Sequence, residues 1–242
     1  MGLTVRGRTA LVTGASSGIG AATAAELAAA GCTVLLTGRD ERRLTEVAQR
    51  TGGQPVLADL TDPAGLDRVA AAARDVDLLV HSAGVGWAGE LASMPAERIA
   101  ALTEVNLTAP MLLTRAALPE MLRRRCGHIV FISSIAVVGV PGEEVYSATK
   151  AGLRAFAASI RHQTEIGVTT VHPGAVRTPF FDNRRYERRF PRMVSPEDVA
   201  VALVRAVQQG KPEVFVPKWL TVPARLQGAL PEVFHRLARR FG

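Results

Sequence analysis

The chain has 242 residues, of which 48% are apolar, and a formal net charge of +7; that length suits one α/β domain with a sizeable core, and that apolar content excludes disorder. No apolar run reaches the roughly 20 residues that span a bilayer, and the first twenty residues hold a glycine turn where a signal peptide would hold an apolar core, which points to the cytoplasm. The two cysteines, Cys32 and Cys126, have no metal-ligand spacing, and the five histidines are scattered, so no metal site is expected.

Arg8-Thr-Ala-Leu-Val-Thr13 reads as a short buried strand (Ala10 to Thr13) running into Gly14-Ala-Ser-Ser-Gly18-Ile-Gly20. An alanine-rich helix follows to Ala30 and stops at Gly31, a C-cap position. Strand, glycine turn and helix N-terminus together make a pyrophosphate site; its expected members are Gly14, Ser16, Ser17, Gly18, Ile19 and Gly20. The spacing is not G-x-G-x-x-G, and the lysine of a Walker A loop is absent. The alternative is a plain glycine-rich turn.

The second strand, Thr33 to Thr37, ends in Gly38-Arg39, where a dinucleotide site often carries an acid for the adenosine ribose. A guanidinium there pairs with a 2′-phosphate, so NADP(H) is favoured, with NAD(H) as the second choice. Alternatively, Arg39 pairs with Asp40 or Glu41. After the third strand (Pro55 to Ala58), Asp59-Leu60 offers a carboxylate to the adenine amino group or simply caps a turn. The fourth strand, Asp77 to His81, leads into Ser82-Ala83-Gly84.

A long helix is predicted over Pro95 to Arg125. Pro110 within it cannot donate the i to i−4 bond and crowds the carbonyl of Asn106, so a kink is expected there, which either leaves that carbonyl to hold a water linking Lys150 to solvent or serves packing alone. The fifth strand, Gly127 to Ser133, precedes a helix from about Glu144 to His162 that carries Tyr146-Ser-Ala-Thr-Lys150. Residues at i and i+4 share a helix face, so the Lys150 ammonium favours the anionic form of the Tyr146 phenol and makes it an acid or base usable near neutrality. A sixth strand (Val168 to Val171) runs into Pro173-Gly174-Ala-Val176-Arg-Thr178. Ser195 caps a helix over Pro196 to Gln209, and Glu213 to Val216 is the seventh strand. Seven apolar runs separated by helical segments, with no linker or repeat, imply one domain: an α/β, doubly wound parallel sheet with helices on both faces.

Two stretches are more ambiguous. The loop from about Pro179 to Met193 holds Phe180, Phe181, Tyr186, Phe190 and five arginines, and reads either as a lid over a substrate with an apolar body, with or without an acidic group, or as a solvated basic loop with a few anchoring aromatics. Beyond Val216, Trp219, Leu220, Val222, Leu226, Leu230, Val233, Phe234, Leu237 and Phe241 recur at near-helical spacing opposite arginines. Such a segment lies on an anionic membrane, covers a pocket, or packs on its own domain or another subunit. With no zinc-finger spacing, aromatic RNA-binding motif or sustained basic helix, nucleic acid is not expected as a partner.

In combination these features resemble the short-chain dehydrogenase/reductase family, from about Arg6 to about Val216. Thr13 to Gly20 matches the family's TGxxxGxG turn, and Asp59, Asn106, Tyr146-x3-Lys150 and Pro173-Gly174 through Thr178 fall in the family's order and spacing. The resemblance implies a Rossmann-type fold and hydride transfer between a nicotinamide cofactor and a small carbonyl or alcohol. It also implies a catalytic set of Asn106, Ser134, Tyr146 and Lys150, and assembly as a homodimer or homotetramer. Ser82, Ala83, Gly84, Tyr146, Lys150, Pro173, Gly174, Val176 and Thr178 are then expected beside the cofactor. The alternative is a dinucleotide-binding regulatory protein that keeps the fold without turnover. Two positions depart from the family pattern. Ser82 stands where the family carries asparagine, so a hydrogen bond must be remade or lost, at about 1 kcal/mol. The catalytic serine is Ser134 when counted along the strand and Ser133 when counted back from Tyr146; the strand fixes position more rigidly than a loop, which favours Ser134.

Overall fold

Short apolar runs, buried except at the sheet edge, become strands. In the computed structural model, which describes residues 2–181 and 193–232, they are β1 (Thr9–Thr13), β2 (Thr33–Gly38), β3 (Gln54–Leu57), β4 (Leu78–His81), β5 (His128–Ile132), β6 (Gly167–Pro173) and β7 (Glu213–Val216). All neighbours pair in parallel, in the order β3-β2-β1-β4-β5-β6-β7. The order reverses between β1 and β4, which opens a crevice beyond their carboxyl ends. The expected doubly wound, Rossmann-type sheet is therefore observed.

Alternating side chains divide the core into two layers. Ala10 and Val12 of β1, Leu78 and Val80 of β4, and Val130 and Ile132 of β5 face one layer. It is completed by α1 (Gly18–Ala29), α2 (Glu41–Thr51) and α7 (Pro196–Gln209) through Leu27, Leu44 and Leu203. Leu11, Leu79, Ile129 and Phe131 face the other, against Val69 of α3 (Pro63–Ala73), Leu113 of α5 (Ala109–Arg124) and Leu153 of α6 (Glu144–Gln163). The helices start where the sequence supplies caps. Asp40 accepts from the Arg43 N–H, Asp62 from Gly65, and Ser195 forms a capping box with Asp198. Gly31, at φ 88°, ends α1 as expected.

The continuous helix predicted over Pro95 to Arg125 is corrected. It is α4 (Ala96–Thr103), a π-turn over Glu104–Thr108, and then α5. The expected kink takes the form of this turn: the Ala109 N–H reaches back five residues to the Glu104 carbonyl. The widening lies immediately before Pro110, where the i to i−4 ladder has no donor. The chain after β7 makes a short turn (Lys218–Leu220) and α8 (Thr221–Ala229). Leu220 and Ala224 pack with Phe215 on Ile135 and Val138, whereas Trp219, Val222 and Leu230 are exposed. Val233, Phe234, Leu237 and Phe241 lie outside the described residues, as do Tyr186, Phe190 and the five arginines of the proposed lid.

Two histidines make this core sensitive to acid. His81 and His128 are buried, each with only its Nε2 bonded, to Thr114 and Thr169 at 3.0 and 2.8 Å. Desolvation pulls His81 down to about 3 and His128 to about 4. An unfolded histidine titrates near about 6.5. From that pH downward the unfolded chain takes up two protons that the native state refuses, and stability falls. Near pH 4.5 the loss reaches about 5 kcal/mol, comparable with the whole stability of many domains. Thermal melts are expected to drop steeply between pH 6.5 and 4.5, and His81→Gln to reduce the drop; a flat profile in the wild-type protein would contradict this.

Candidate active site

Glycines bring backbone from three strands together at the crevice. Gly14, at φ 67°, approaches the next turn so closely that a Cβ there would lie 2.7 Å from the Ala83 Cα, and a side chain at Gly20 would collide with the Gly14 carbonyl. A Cβ on Gly18 would lie 2.9 Å from the Thr178 methyl. The turn after β4 is tethered by Thr13, whose Oγ1 accepts from the N–H groups of both Ser82 and Ala83 at 3.0 Å. With both amides held in this way, the turn is fixed to β1 although Ser82 replaces the usual asparagine.

The π-turn carries Asn106 inward, fully buried. Its side chain accepts from the Val85 N–H and donates to the Val85 carbonyl, both at 2.9 Å, and donates to Thr149 Oγ1 at 3.2 Å. Asn106 thus ties the loop after β4 to α6, the helix carrying Tyr146 and Lys150. Lys150 is also buried, with its Nζ donating to the Ile132 carbonyl at 2.9 Å and lying 5.7 Å from the centre of the Tyr146 ring. Desolvation pulls its pKa down to about 8. The Tyr146 ring packs with Met94, Leu102, Ala136 and Phe180.

The two serines differ in what their hydroxyls do. Ser133 Oγ donates to the Lys150 carbonyl at 3.0 Å, so its proton is committed to holding α6. Ser134 Oγ instead accepts from the Ala136 N–H at 3.0 Å, which leaves its own proton available to donate. This geometry favours the count along the strand.

A cavity of about 660 Å³ joins these parts. It runs from Arg39, Asp59 and Leu60 past the glycine turn (Gly14, Ser16, Ser17, Gly18, Ile19, Gly20) and Ser82, Ala83 and Gly84, to Ser134, Tyr146, Lys150, Pro173, Gly174, Val176 and Thr178. Of the residues predicted for the site, only Asn106 stands behind the wall. At the adenosine end, Asp40 caps α2 and pairs with Arg43 at 3.4 Å, so it is not the partner of Arg39. Among the described residues Arg39 has no ion pair within 4.0 Å. Asp59 accepts from the Thr61 N–H at 2.9 Å and hydroxyl at 2.8 Å, the turn-capping role, while still lining the cavity. The Thr61 N–H bond, with its hydroxyl and Arg39 adding to it, holds the Asp59 carboxyl below its usual range.

The pattern of the family described as short chain dehydrogenase matches residues 8–189. The chain belongs to this family. An uncharacterized oxidoreductase of Myxococcus xanthus is 36% identical over 247 residues, covering 96% of this chain and 97% of the relative. A short-chain dehydrogenase from Sphingobium yanoikuyae in complex with NADPH matches with TM-score 0.82 and 28% identity, over 93% of this chain and 96% of that one. A bulky-bulky ketone specific alcohol dehydrogenase from Comamonas testosteroni matches with TM-score 0.78 and 26% identity, over 93% and 94%. This short-chain dehydrogenase is accordingly an NAD(P)-binding oxidoreductase of Rossmann fold.

Its residues fit a dinucleotide. The glycines let the turns pack closely against one another along the cavity, so that main chain lines it, and at its far end stands Arg39, which has no ion pair among the described residues. Several members of the site went unread in the sequence. Thr13 sits within the quoted motif, but its acceptor role depends on a turn 69 residues away. Val85, Ile135, Val140 and Glu143 also line the cavity; spread over the connections after β4 and β5, they give no local signal. Among the described residues, no helix is long and apolar enough to cross a membrane.

Proposed function

We propose that this short-chain dehydrogenase interconverts a carbonyl and an alcohol on a lipophilic substrate with NADP(H), using Tyr146 as proton donor. The observation that carries the reading is the convergence of Tyr146, Lys150 and the Ser134 hydroxyl on one cavity that continues to the glycine turn. The glycine turn, Pro173, Gly174, Val176 and Thr178 would hold the dinucleotide, and the nicotinamide, when bound, supplies or accepts the hydride. Tyr146 gives its proton to the carbonyl oxygen, and Ser134 donates a hydrogen bond to the same oxygen as negative charge develops there. Lys150 stabilises the phenolate left behind and is placed to reach ribose hydroxyls. Asn106 holds Val85 and Thr149 in place around the phenol, and its main-chain carbonyl, deprived of a donor by Pro110, is suited to hold the water that returns protons.

Substrate class follows from the wall beyond the tyrosine. Val85, Ile135, Val140, Phe180 and Leu220 form an apolar surface, and the similar protein from Comamonas testosteroni is specific for bulky ketones. Both support an uncharged, lipophilic ketone or secondary alcohol. Exposed Leu112 and Leu122 on α5 support pairing of two copies across this helix. A panel of ketones, aldehydes and secondary alcohols, followed at the nicotinamide absorbance with NADPH or NADP+, tests the activity; no turnover across it would favour a non-catalytic binding role.

The reading of Arg39 has its own test. A guanidinium on a 2′-phosphate is a charge-assisted contact worth about 1.5 to 3 kcal/mol. Arg39→Gly is therefore expected to raise KM for NADPH by about tenfold or more and to leave KM for NADH nearly unchanged. If both constants move together in initial-rate measurements, Arg39 does not read the phosphate.

A further inference from the structure

β5 and β6 stay in register until the Ser133 N–H donates to the Val171 carbonyl at 2.8 Å. One residue later the main chain leaves the ladder. The carbonyl of Ser134 meets the side chain of His172, whose Nδ1 lies 3.4 Å away; its main-chain contact is a long one, from the Val137 N–H at 3.4 Å. His172 is fully buried on β6, two residues before Gly174, and its ring stacks on Phe215 of β7 with centres 4.6 Å apart.

The other ring nitrogen faces Glu213 of β7, at 3.4 Å from Oε1. That carboxylate is anchored in turn by Arg154, whose Nε and Nη2 donate to it at 2.9 and 3.4 Å. The hydrogen bond from His172, and next those from Arg154, hold Glu213 down to about 2. Arg161 of α6 adds positive charge nearby and donates to the Pro212 carbonyl at 2.8 Å. Both nitrogens of His172 therefore face oxygen atoms, the Ser134 carbonyl and the Glu213 carboxylate. Arg154 lies one turn beyond Lys150 on α6. A chain of contacts thus leaves the helix that carries Tyr146 and Lys150 and returns, through Glu213 and His172, to the peptide of Ser134.

We propose that His172 is a positioning residue: braced by Glu213 and Arg154, it holds the Ser134 carbonyl and so fixes the direction in which the Ser134 hydroxyl donates. This rests on the reading of Ser134 as the donor to the substrate oxygen. The ring touches neither substrate nor cofactor in this role. It acts only through the serine, and an error of about 1 Å in such a donor is enough to lower turnover.

The test is a double-mutant cycle on the best ketone of the panel, with NADPH affinity from fluorescence titration as the check on folding. His172→Phe keeps the stacking on Phe215 and removes both nitrogens. It is expected to lower kcat about tenfold with KM and NADPH affinity changed less than about twofold, and to have less than about a twofold effect in a Ser134→Ala background. A tenfold loss that persists without the serine, or no loss with it, overturns the proposal. If Ser134→Ala alone keeps full turnover, the reading of Ser134 falls as well. Should His172→Phe fail to bind NADPH, Glu213→Gln carries the same cycle: a fall of about threefold, absent in Ser134→Ala, supports the positioning role, and a fall of equal size in both backgrounds overturns it.

Discussion

Replacing Tyr146 with phenylalanine is expected to lower turnover by at least about 10²-fold, the loss typical of a removed general acid. The substitution deletes one oxygen and leaves the ring among Met94, Leu102, Ala136 and Phe180, so the pocket should keep its shape. NADPH affinity should then stay within a few-fold of wild type, because the glycine turn and Arg39, at the other end of the cavity, are untouched. Steady-state kinetics and a fluorescence titration read the two quantities separately. Loss of both together would mean that the substitution disturbs the fold, and unchanged turnover would assign the proton to another group.

Lys150→Met is expected to abolish most turnover, by about 10²-fold or more, and at the same time to make the protein more stable near neutral pH. Burial lowers the Lys150 pKa to about 8, against an unfolded value near about 10.4. The unfolded chain therefore holds this proton more tightly than the native one. The burial of the ammonium opposes folding in full below pH 8, by about 3 kcal/mol, and that opposition fades as the pH rises from 8 towards the unfolded value. Methionine removes the charge at similar length but leaves the Ile132 carbonyl without its donor, at about 1 kcal/mol or more. The net gain near pH 7 is about 2 kcal/mol, or roughly 4 to 8 °C in Tm for a chain of this size, and it should shrink as the pH approaches 10. A variant less stable than wild type at pH 7, or a difference that does not change with pH, would show that the lysine is not buried as a cation. A side chain that opposes folding yet occupies the centre of the cavity is one held there for function.

Much of this was legible in the residues themselves, for reasons that can be named. Central parallel strands buried on both faces read as short apolar runs, and the exposed edge strand β3, with its proline at position 55, still ends in Val56 and Leu57, so all seven could be placed to within a few residues. The glycine turn and the Tyr146–Lys150 pair are local patterns, and local geometry fixes them. The break between α4 and α5 was only half visible. Pro110 announces a disturbance, but the hydrophobic period runs on either side of it, and nothing in the period distinguishes a bend from a π-turn. Contacts between distant residues were not legible at all. Asn106 drew attention through its position, but its bonds to Val85 cross 21 residues and depend on the inward tilt that the π-turn gives it. His172 stands in a seven-residue buried strand, where a lone histidine reads as core; only the fold brings Ser134 and Glu213 to its two nitrogens.

The most direct test of the central claim is the fate of the transferred hydrogen. NADPH carrying deuterium in both positions at the reactive carbon of the nicotinamide is mixed with the purified protein and the best ketone of the panel, and the alcohol is analysed by mass spectrometry. One deuterium on the carbinol carbon is expected from the wild-type protein, with the yield falling by at least about 10²-fold in Tyr146→Phe over the same interval. Alcohol formed without deuterium, or no alcohol from any ketone while NADPH is bound, would contradict the account.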